Sequence, residues 1–225
     1  MFSFLKGHKP LKSFSQTGED LIVNFIKDAI HLKDFSYLDL GANHPLKYSN
    51  TAFFYKMGYS GVCVEADPLL CKKFKSLRPK DKVLNIGVGI HDQKSMEFFV
   101  MTSSTLNTFS EKEALRYSSY GNEKIEEKIK VDVKTVNNII SENFESYPNF
   151  ISLDVEGLDY EIIKSLNFKK FPSQILCIET LSYTQNKKER KIKEIIDAVI
   201  DNGYMLFADT YINSIFVKKT VWENR

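Results

Sequence analysis

Four acids and one histidine in this sequence stand where chemistry could be done, each beside the end of a short apolar run. Tyr37-Leu38-Asp39-Leu40-Gly41-Ala42-Asn43 ends in a glycine turn, where backbone can come close to a ligand and Asp39 can face an ammonium group. Val62-Cys63-Val64-Glu65-Ala66-Asp67-Pro68 places Glu65 at the end of the next run. That is about 20 residues after the turn, where a carboxylate accepts hydrogen bonds from both hydroxyls of an adenosine ribose. NAD and S-adenosylmethionine share this requirement, so Glu65 does not separate them. The turn itself is not GxGxxG: Asn43 replaces the second glycine and Pro45 follows, which weakens a pyrophosphate-binding reading. Asp67, directly before Pro68, reads as a helix cap.

Ile151-Ser152-Leu153-Asp154-Val155-Glu156-Gly157 sets Asp154 at the end of what should be the central strand, and Cys177-Ile178-Glu179-Thr180 sets Glu179 at the end of its neighbour. Two carboxylates at adjacent strand ends could hold a hard divalent cation. The plainer alternative is that Asp154 and Glu156 stabilise a helix N-terminus. His44 follows the glycine turn directly and is the one histidine at a strand-end mouth. Its unperturbed pKa suits a general base, although a loop histidine bonded to backbone or ligand is an equal alternative.

These residues need a scaffold, and alternating patterns supply one. Helices are expected over 17–31, 48–58, 68–77, 111–127, 158–168 and 187–202, and a short one ends at Ile140. The first has Leu21, Ile22, Phe25, Ile26 and Ala29 on one stripe, and Thr17 with Asp20 resembles a capping box at its start. Strands are expected over 36–41, 61–67, 82–89, 95–101, 149–154 and 173–180, with an edge strand at 128–134. The pair 204–209 and 214–219 reads as an antiparallel hairpin. Strands alternating with helices imply a doubly wound, mostly parallel α/β sheet. Ligands bind beyond the carboxyl ends of such strands, where strand order reverses.

With 225 residues the chain suits a single domain, an N-terminal helical extension over 1–35 and a core over 36–219. The net charge of +2 and the lack of a basic run weigh against nucleic acid as partner. Three cysteines without paired spacing argue for a reducing compartment. With no apolar run of membrane-spanning length and no signal-peptide pattern, a cytoplasmic protein is expected.

Taken in order, Ser15-Gln16-x-Gly18-Glu19-Asp20-Leu21, Leu38-Asp39-Leu40-Gly41-Ala42-Asn43, Ser49-Asn50-Thr51 with Phe54-Tyr55, Val64-Glu65-x-x-Pro68 and Leu153-Asp154-Val155-Glu156-Gly157 resemble the FkbM-type methyltransferases over roughly residues 14–219. The resemblance implies a class I methyltransferase fold, Rossmann-like with seven strands and a C-terminal antiparallel hairpin. It implies S-adenosylmethionine as donor and O-methylation, often of sugars or polyketide-type hydroxyls. By position, Asp39, Gly41, Ala42 and Asn43 would surround the methionine part, with Ser49, Asn50 and Thr51 beside it. Glu65 with Ala66 would hold the ribose, Gly87 and Val88 would line the adenine, and Gln16 and Asp154 would complete the cofactor-binding set. Ser104-Thr105-Leu106-Asn107-Thr108 is similar to a segment near the acceptor pocket. The Asn-His-Pro sequence after Gly-Ala is like one subgroup only.

The expected acceptor is a small molecule, a sugar or a nucleotide-sugar precursor of a surface polysaccharide. Catalysis would draw on His44 as base, or on Asp154 and Glu179, with or without a cation. The rivals are a nicotinamide-dependent oxidoreductase, which needs the glycine-rich turn that is missing, and a non-catalytic cofactor-binding module. Oligomeric state is not legible.

Overall fold

The computed structural model describes residues 11–119, 121–155, 157–182 and 189–225. In chain order come α1 (Glu19–Ala29), β1 (Ser36–Leu40), α2 (Ala52–Lys56), β2 (Ser60–Val64), α3 (Pro68–Leu77), β3 (Lys82–Leu84), β4 (Gly87–Gly89) and β5 (Gln93–Met101). A 3-10 turn (Ser104–Leu106) leads to α4 (Glu111–Ser119), β6 (Ile125–Thr135), α5 (Val136–Asn143), β7 (Phe150–Leu153), α6 (Asp159–Ser165) and β8 (Ile175–Glu179). The chain closes with α7 (Lys193–Asp201), β9 (Tyr204–Asp209), β10 (Asn213–Lys218) and α8 (Lys219–Glu223).

The main sheet has seven strands in the order β3-β2-β1-β7-β8-β10-β9. All pairings are parallel except those of β10, which runs antiparallel to both β8 and β9. This is the class I methyltransferase arrangement. Successive side chains of a strand face opposite ways, and both faces of this sheet are covered, so its central strands are mainly apolar. Leu38, Leu40, Val62, Val64, Ile151 and Leu153 pack on one side with Ile139, Ile162 and Ile195 from α5, α6 and α7. Tyr37, Cys63, Phe150 and Cys177 face the other side, against Val23, Ile26, Phe53, Phe54 and Phe74 from α1, α2 and α3. Each such fully buried Leu, Ile or Phe contributes about 1.5–3 kcal/mol. All three cysteines are buried and unbonded. Strand order reverses between β2–β1 and β1–β7, so the crevice lies beyond Gly41 and Asp154.

Several boundaries differ from the sequence reading. The run 82–89 is two strands. β3 pairs with β2 in the main sheet, and β4 pairs with β6 in a separate sheet of order β4-β6-β5. Between them Asn85 donates from Nδ2 to the carbonyls of Glu65 (3.1 Å) and Ala66 (2.8 Å), turning the chain out of the first sheet. The helix expected to reach 127 stops at Ser119, and β6 is the central strand of the small sheet, not an edge. One face of β6 is wet, so Glu126, Lys128, Lys130 and Asp132 are exposed while Val131 and Val133 are buried. Helix α7 begins only at Lys193, because Leu181 and Lys191 form an antiparallel bridge; residues 187 and 188 lie outside the described residues. α1 begins at Glu19 with Gly18 at its N-cap and no side-chain cap, so the Thr17–Asp20 capping box does not form. The 48–58 helix is confined to Ala52–Lys56, and α8 adds a turn beyond the final strand. Among the described residues no helix is long and apolar enough to cross a membrane.

Candidate functional site

At the end of β1 the chain turns through Gly41, whose φ is +78°. A Cβ built there would lie 1.8 Å from the Asp154 carbonyl oxygen. The glycine is therefore demanded by the neighbouring strand end as well as by its left-handed backbone. Gly41 and Ala42 donate their N–H groups to the Val64 carbonyl (3.1 and 3.0 Å), which ties the turn to β2. Asn43 is also left-handed, at φ +45°. Its N–H donates to Glu65 Oε2 (2.7 Å), and its side-chain amide donates to the Ser104 carbonyl (2.9 Å) across the crevice.

Glu65 is thereby half-satisfied. Oε2 takes the Asn43 N–H and Oε1 takes the Asp67 N–H (2.8 Å), while both oxygens belong to a residue that lines the cavity. Each carboxylate oxygen has a second lone pair to offer. Burial pushes the Glu65 carboxyl up to about 7, only partly offset by those two backbone N–H groups. Asp67 turns its side chain to the helix instead, accepting from the N–H groups of Leu69 (2.7 Å) and Leu70 (3.4 Å) beside Pro68 at the first helical position.

The cavity so formed holds about 580 Å³ and is lined by Gln16, Asp39, Gly41, Ala42, Asn43, Ser49, Asn50, Glu65, Ala66, Gly87, Val88, Asp154 and Glu179, among others. Ile86, Val88, Phe98 and Phe109 give it an apolar flank, with the Phe98 and Phe109 rings 4.7 Å apart. Ser104–Thr108, from the polar segment after β5, adds to the wall beside them. Of the residues expected to bind the cofactor, Thr51 does not line the cavity. It is fully buried, donates to Asp39 Oδ2 (2.5 Å) and accepts from Arg78 Nη2 (2.9 Å).

Arg78 and Asp81 are the residues that sequence reasoning missed. The Arg78 guanidinium is fully buried beneath the crevice floor. Nε donates to Asp81 Oδ2 (2.6 Å), Nη1 to the Pro45 carbonyl and Ser49 Oγ (both 3.2 Å), and Nη2 to Tyr37 OH (3.2 Å). The Tyr37 hydroxyl in turn donates to Asp81 Oδ1 (2.7 Å). Burial pushes the Asp39 carboxyl up while Arg78 and Thr51 pull it back. No periodicity or motif marks an arginine after a helix end as the hub of such a network.

Asp154 and Glu179 do come together: Glu179 hydrogen-bonds the Asp154 side chain, and both line the cavity. Burial, and then the charge of Asp159, raise the Asp154 carboxyl to about 7. Asp159 accepts from the N–H groups of Val155 (3.1 Å) and Gly157 (3.2 Å) at the start of α6, so it caps that loop; Glu156 lies outside the described residues. Among the described residues no group of three or more His, Cys, Asp or Glu side chains is placed to hold a metal ion, so the expected divalent cation has no support beyond the Asp154–Glu179 pair itself.

His44 is not among the cavity-lining residues. Its Nδ1 accepts from the N–H groups of Leu46 (3.1 Å) and Lys47 (3.2 Å), so in the neutral ring the proton sits on Nε2 and no ring nitrogen is left to act as a base. Burial, with Lys73 and Lys47 nearby, lowers its pKa further. Its role is that of a turn-stabilising loop histidine. Gln16 reaches the cavity because its flanks are fixed. Asp20 accepts from Ser13 Oγ (2.7 Å), Phe14 N–H (2.7 Å) and Ser15 Oγ (2.9 Å), and Glu19 from Thr17, Thr210 Oγ1 (2.7 Å) and Asn213 Nδ2 (3.0 Å).

A family model described as the methyltransferase FkbM domain matches residues 39–206. No curated protein matches the chain. Among solved structures it is similar to a TehB-like SAM-dependent methyltransferase from Corynebacterium glutamicum, with 11% identity over 90% of this chain and 88% of that one and a TM-score of 0.44. It is similar also to precorrin-6y C5,15-methyltransferase from Geobacter metallireducens, with 10% identity, coverage of 94% and 92%, and a TM-score of 0.44. An O-methyltransferase from Bacillus cereus in complex with SAH gives 11% identity, coverage of 92% and 82%, and a TM-score of 0.45. Likeness of this degree says nothing about the acceptor.

Proposed function

The chain belongs to the FkbM methyltransferase family, and on that premise we propose that this S-adenosylmethionine-dependent methyltransferase is an O-methyltransferase. Its acceptor is a hydroxyl of a sugar or nucleotide-sugar precursor of a surface polysaccharide, in the cytoplasm. The observation that carries the proposal is Asp154, a half-buried carboxyl at the cavity wall that is hydrogen-bonded to Glu179 and raised to about 7. A carboxylate poised near neutrality is what removal of a hydroxyl proton calls for, and transfer to an already nucleophilic amine or sulfur has less need of it.

The cavity residues fit S-adenosylmethionine. Glu65 keeps one lone pair on each oxygen for the two ribose hydroxyls, Val88 and Phe98 offer an apolar flank for the adenine, and Asp39 with Asn50 borders the methionine end. When bound, the donor supplies an electrophilic sulfonium methyl, so the protein's own work is alignment and proton removal. With the donor bound, Asp154 would accept the proton that the acceptor hydroxyl must lose. Glu179 fixes the orientation of the Asp154 carboxyl and shares the charge. His44, its acceptor nitrogen already occupied, takes no part.

Asp154→Asn tests the proposal. It should lower kcat by about 100-fold or more with SAH affinity changed by less than about threefold. Full turnover in that variant removes the base. Turnover of the wild type should be unchanged in excess EDTA, and activity lost to chelator and restored by a divalent ion would replace proton transfer with metal assistance. Screening nucleotide-activated and simple sugars with labelled donor identifies the acceptor.

A further inference from the structure

Two of the most exposed aromatic side chains in the protein stand at the cavity rim, and packing accounts for neither. Tyr48 is 68% exposed and Tyr211 61%, and both line the cavity. They come from connections far apart in the chain: Tyr48 from that between β1 and α2, Tyr211 from the turn between β9 and β10. Among the described residues neither ring nor phenol has a hydrogen-bond or ring partner.

Their backbones, by contrast, are held hard. Both are left-handed, at φ +55° and +75°, a conformation that non-glycine residues keep only where the surroundings impose it. Before Tyr48, the His44 ring accepts the N–H groups of Leu46 and Lys47; after it, Ser49 N–H donates to the Phe14 carbonyl (3.0 Å). Tyr211 N–H donates to Asp209 Oδ1 (2.8 Å), and Thr210 N–H donates to the Asn213 carbonyl (2.9 Å). Strained, pinned backbone carrying a free side chain at a cavity mouth belongs to ligand clamps.

We infer that Tyr48 and Tyr211 form an aromatic seat at the cavity rim for a pyranose ring, the sugar of the acceptor. This rests on the methyl-transfer function proposed above and names the part of the acceptor that the protein grips. A tyrosine face is a rigid, amphipathic platform with little side-chain entropy to lose. The apolar C–H face of a pyranose matches it, while the equatorial hydroxyls around the ring need paired acceptors and donors. Gln16, Glu179 and Glu189 line the same cavity and supply carboxylates and a planar amide. Among the described residues no Lys or Arg lines it, so the chemistry there favours the uncharged sugar ring over a phosphate or a nucleotide.

The test uses the full chain with S-adenosylmethionine and a panel of methyl α-D-glucoside, methyl α-D-galactoside, methyl α-D-mannoside and UDP-glucose, with UMP as the sugar-free control. Methyl transfer is followed by mass spectrometry, and binding by saturation-transfer NMR in the presence of SAH. The wild type should methylate at least one sugar. Tyr48→Ala and Tyr211→Ala should each raise KM for it about tenfold, an effect of about 1.4 kcal/mol. Their kcat and SAH affinity should stay within about twofold of wild type, and the Phe variants should behave as wild type. Unchanged KM in the alanine variants overturns the seat and leaves the methyl-transfer reading standing. UMP saturating as strongly as UDP-glucose hands the tyrosines to a nucleobase and overturns the seat too. SAH binding without transfer to any sugar refutes the sugar acceptor, and the seat with it.

Discussion

Glu65 makes donor binding depend on pH. Its carboxyl is held at about 7 against an ordinary 4.5, chiefly by burial. A ribose offering two hydroxyl donors needs the carboxylate, so the protonated fraction of the free protein is incompetent to bind. At one pH unit above 7 about nine-tenths of Glu65 is ionised, and at one unit below about one-tenth, so SAH should bind about tenfold more weakly at pH 6 than at pH 8. The sign agrees with stability. A carboxylate whose folded pKa is raised stabilises the fold below its unfolded pKa and loses that contribution as pH rises from 4.5 through 7, about 3 kcal/mol in all. SAH should therefore raise the melting temperature more at pH 8 than at pH 6. Titration calorimetry across this range, in buffers of differing ionisation enthalpy, reads both the affinity and the proton released. Asp154 titrates in the same window, so Glu65→Gln is the decisive control. It should weaken SAH by about 2 kcal/mol at pH 8, the usual worth of hydrogen bonds to a charged group, and should flatten the pH dependence. An affinity independent of pH in the wild type, or an undiminished slope in the variant, refutes the reasoning.

Gly41→Ala must move the Asp154 backbone, since its Cβ would fall 1.8 Å from that carbonyl oxygen at φ +78°; a loss of about 3 kcal/mol or more in urea unfolding is expected, with SAH binding abolished. Arg78→Met leaves Asp81 buried without its cation and should cost about 3–5 kcal/mol by the same measurement. Glu19 is buried, which alone would raise its pKa, yet its bonds from Thr17 and Thr210 win and hold it at about 2. Its stabilisation is thus complete above 4.5 and lost as pH falls toward 2, about 3 kcal/mol, and Glu19→Gln should remove that part of the acid dependence of unfolding.

The parallel core was legible because both of its faces are dry: Tyr37–Leu40, Val62–Val64, Phe150–Leu153 and Ile175–Ile178 are apolar but for Asp39 and Ser152. The acids at their ends, Glu65, Asp154 and Glu179, follow from topology alone, and all three line the cavity. The split at Asn85–Ile86 was not legible, since a single Asn inside 82–89 does not by itself end a strand and the partner of its second half, β6, lies far along the chain. The Arg78 network left no trace because Tyr37, Ser49, Thr51, Arg78 and Asp81 share no spacing, only a place. His44 misled for the opposite reason. Its sequence position is that of a mouth residue, but its ring nitrogen is spent on the 44–47 turn.

Glu19 accepts from Thr210 and Asn213 across almost the whole length of the chain. Closure cost grows only slowly with span, so the bridge is cheap for its length and ties the segment before α1 to the β9–β10 turn. Gln16 and Tyr211 sit beside this clasp in the chain, so undoing it loosens both parts of the rim together. An N-terminally trimmed chain would then own a finished sheet and a loosened doorway, able to take up the donor but not to hold anything to modify.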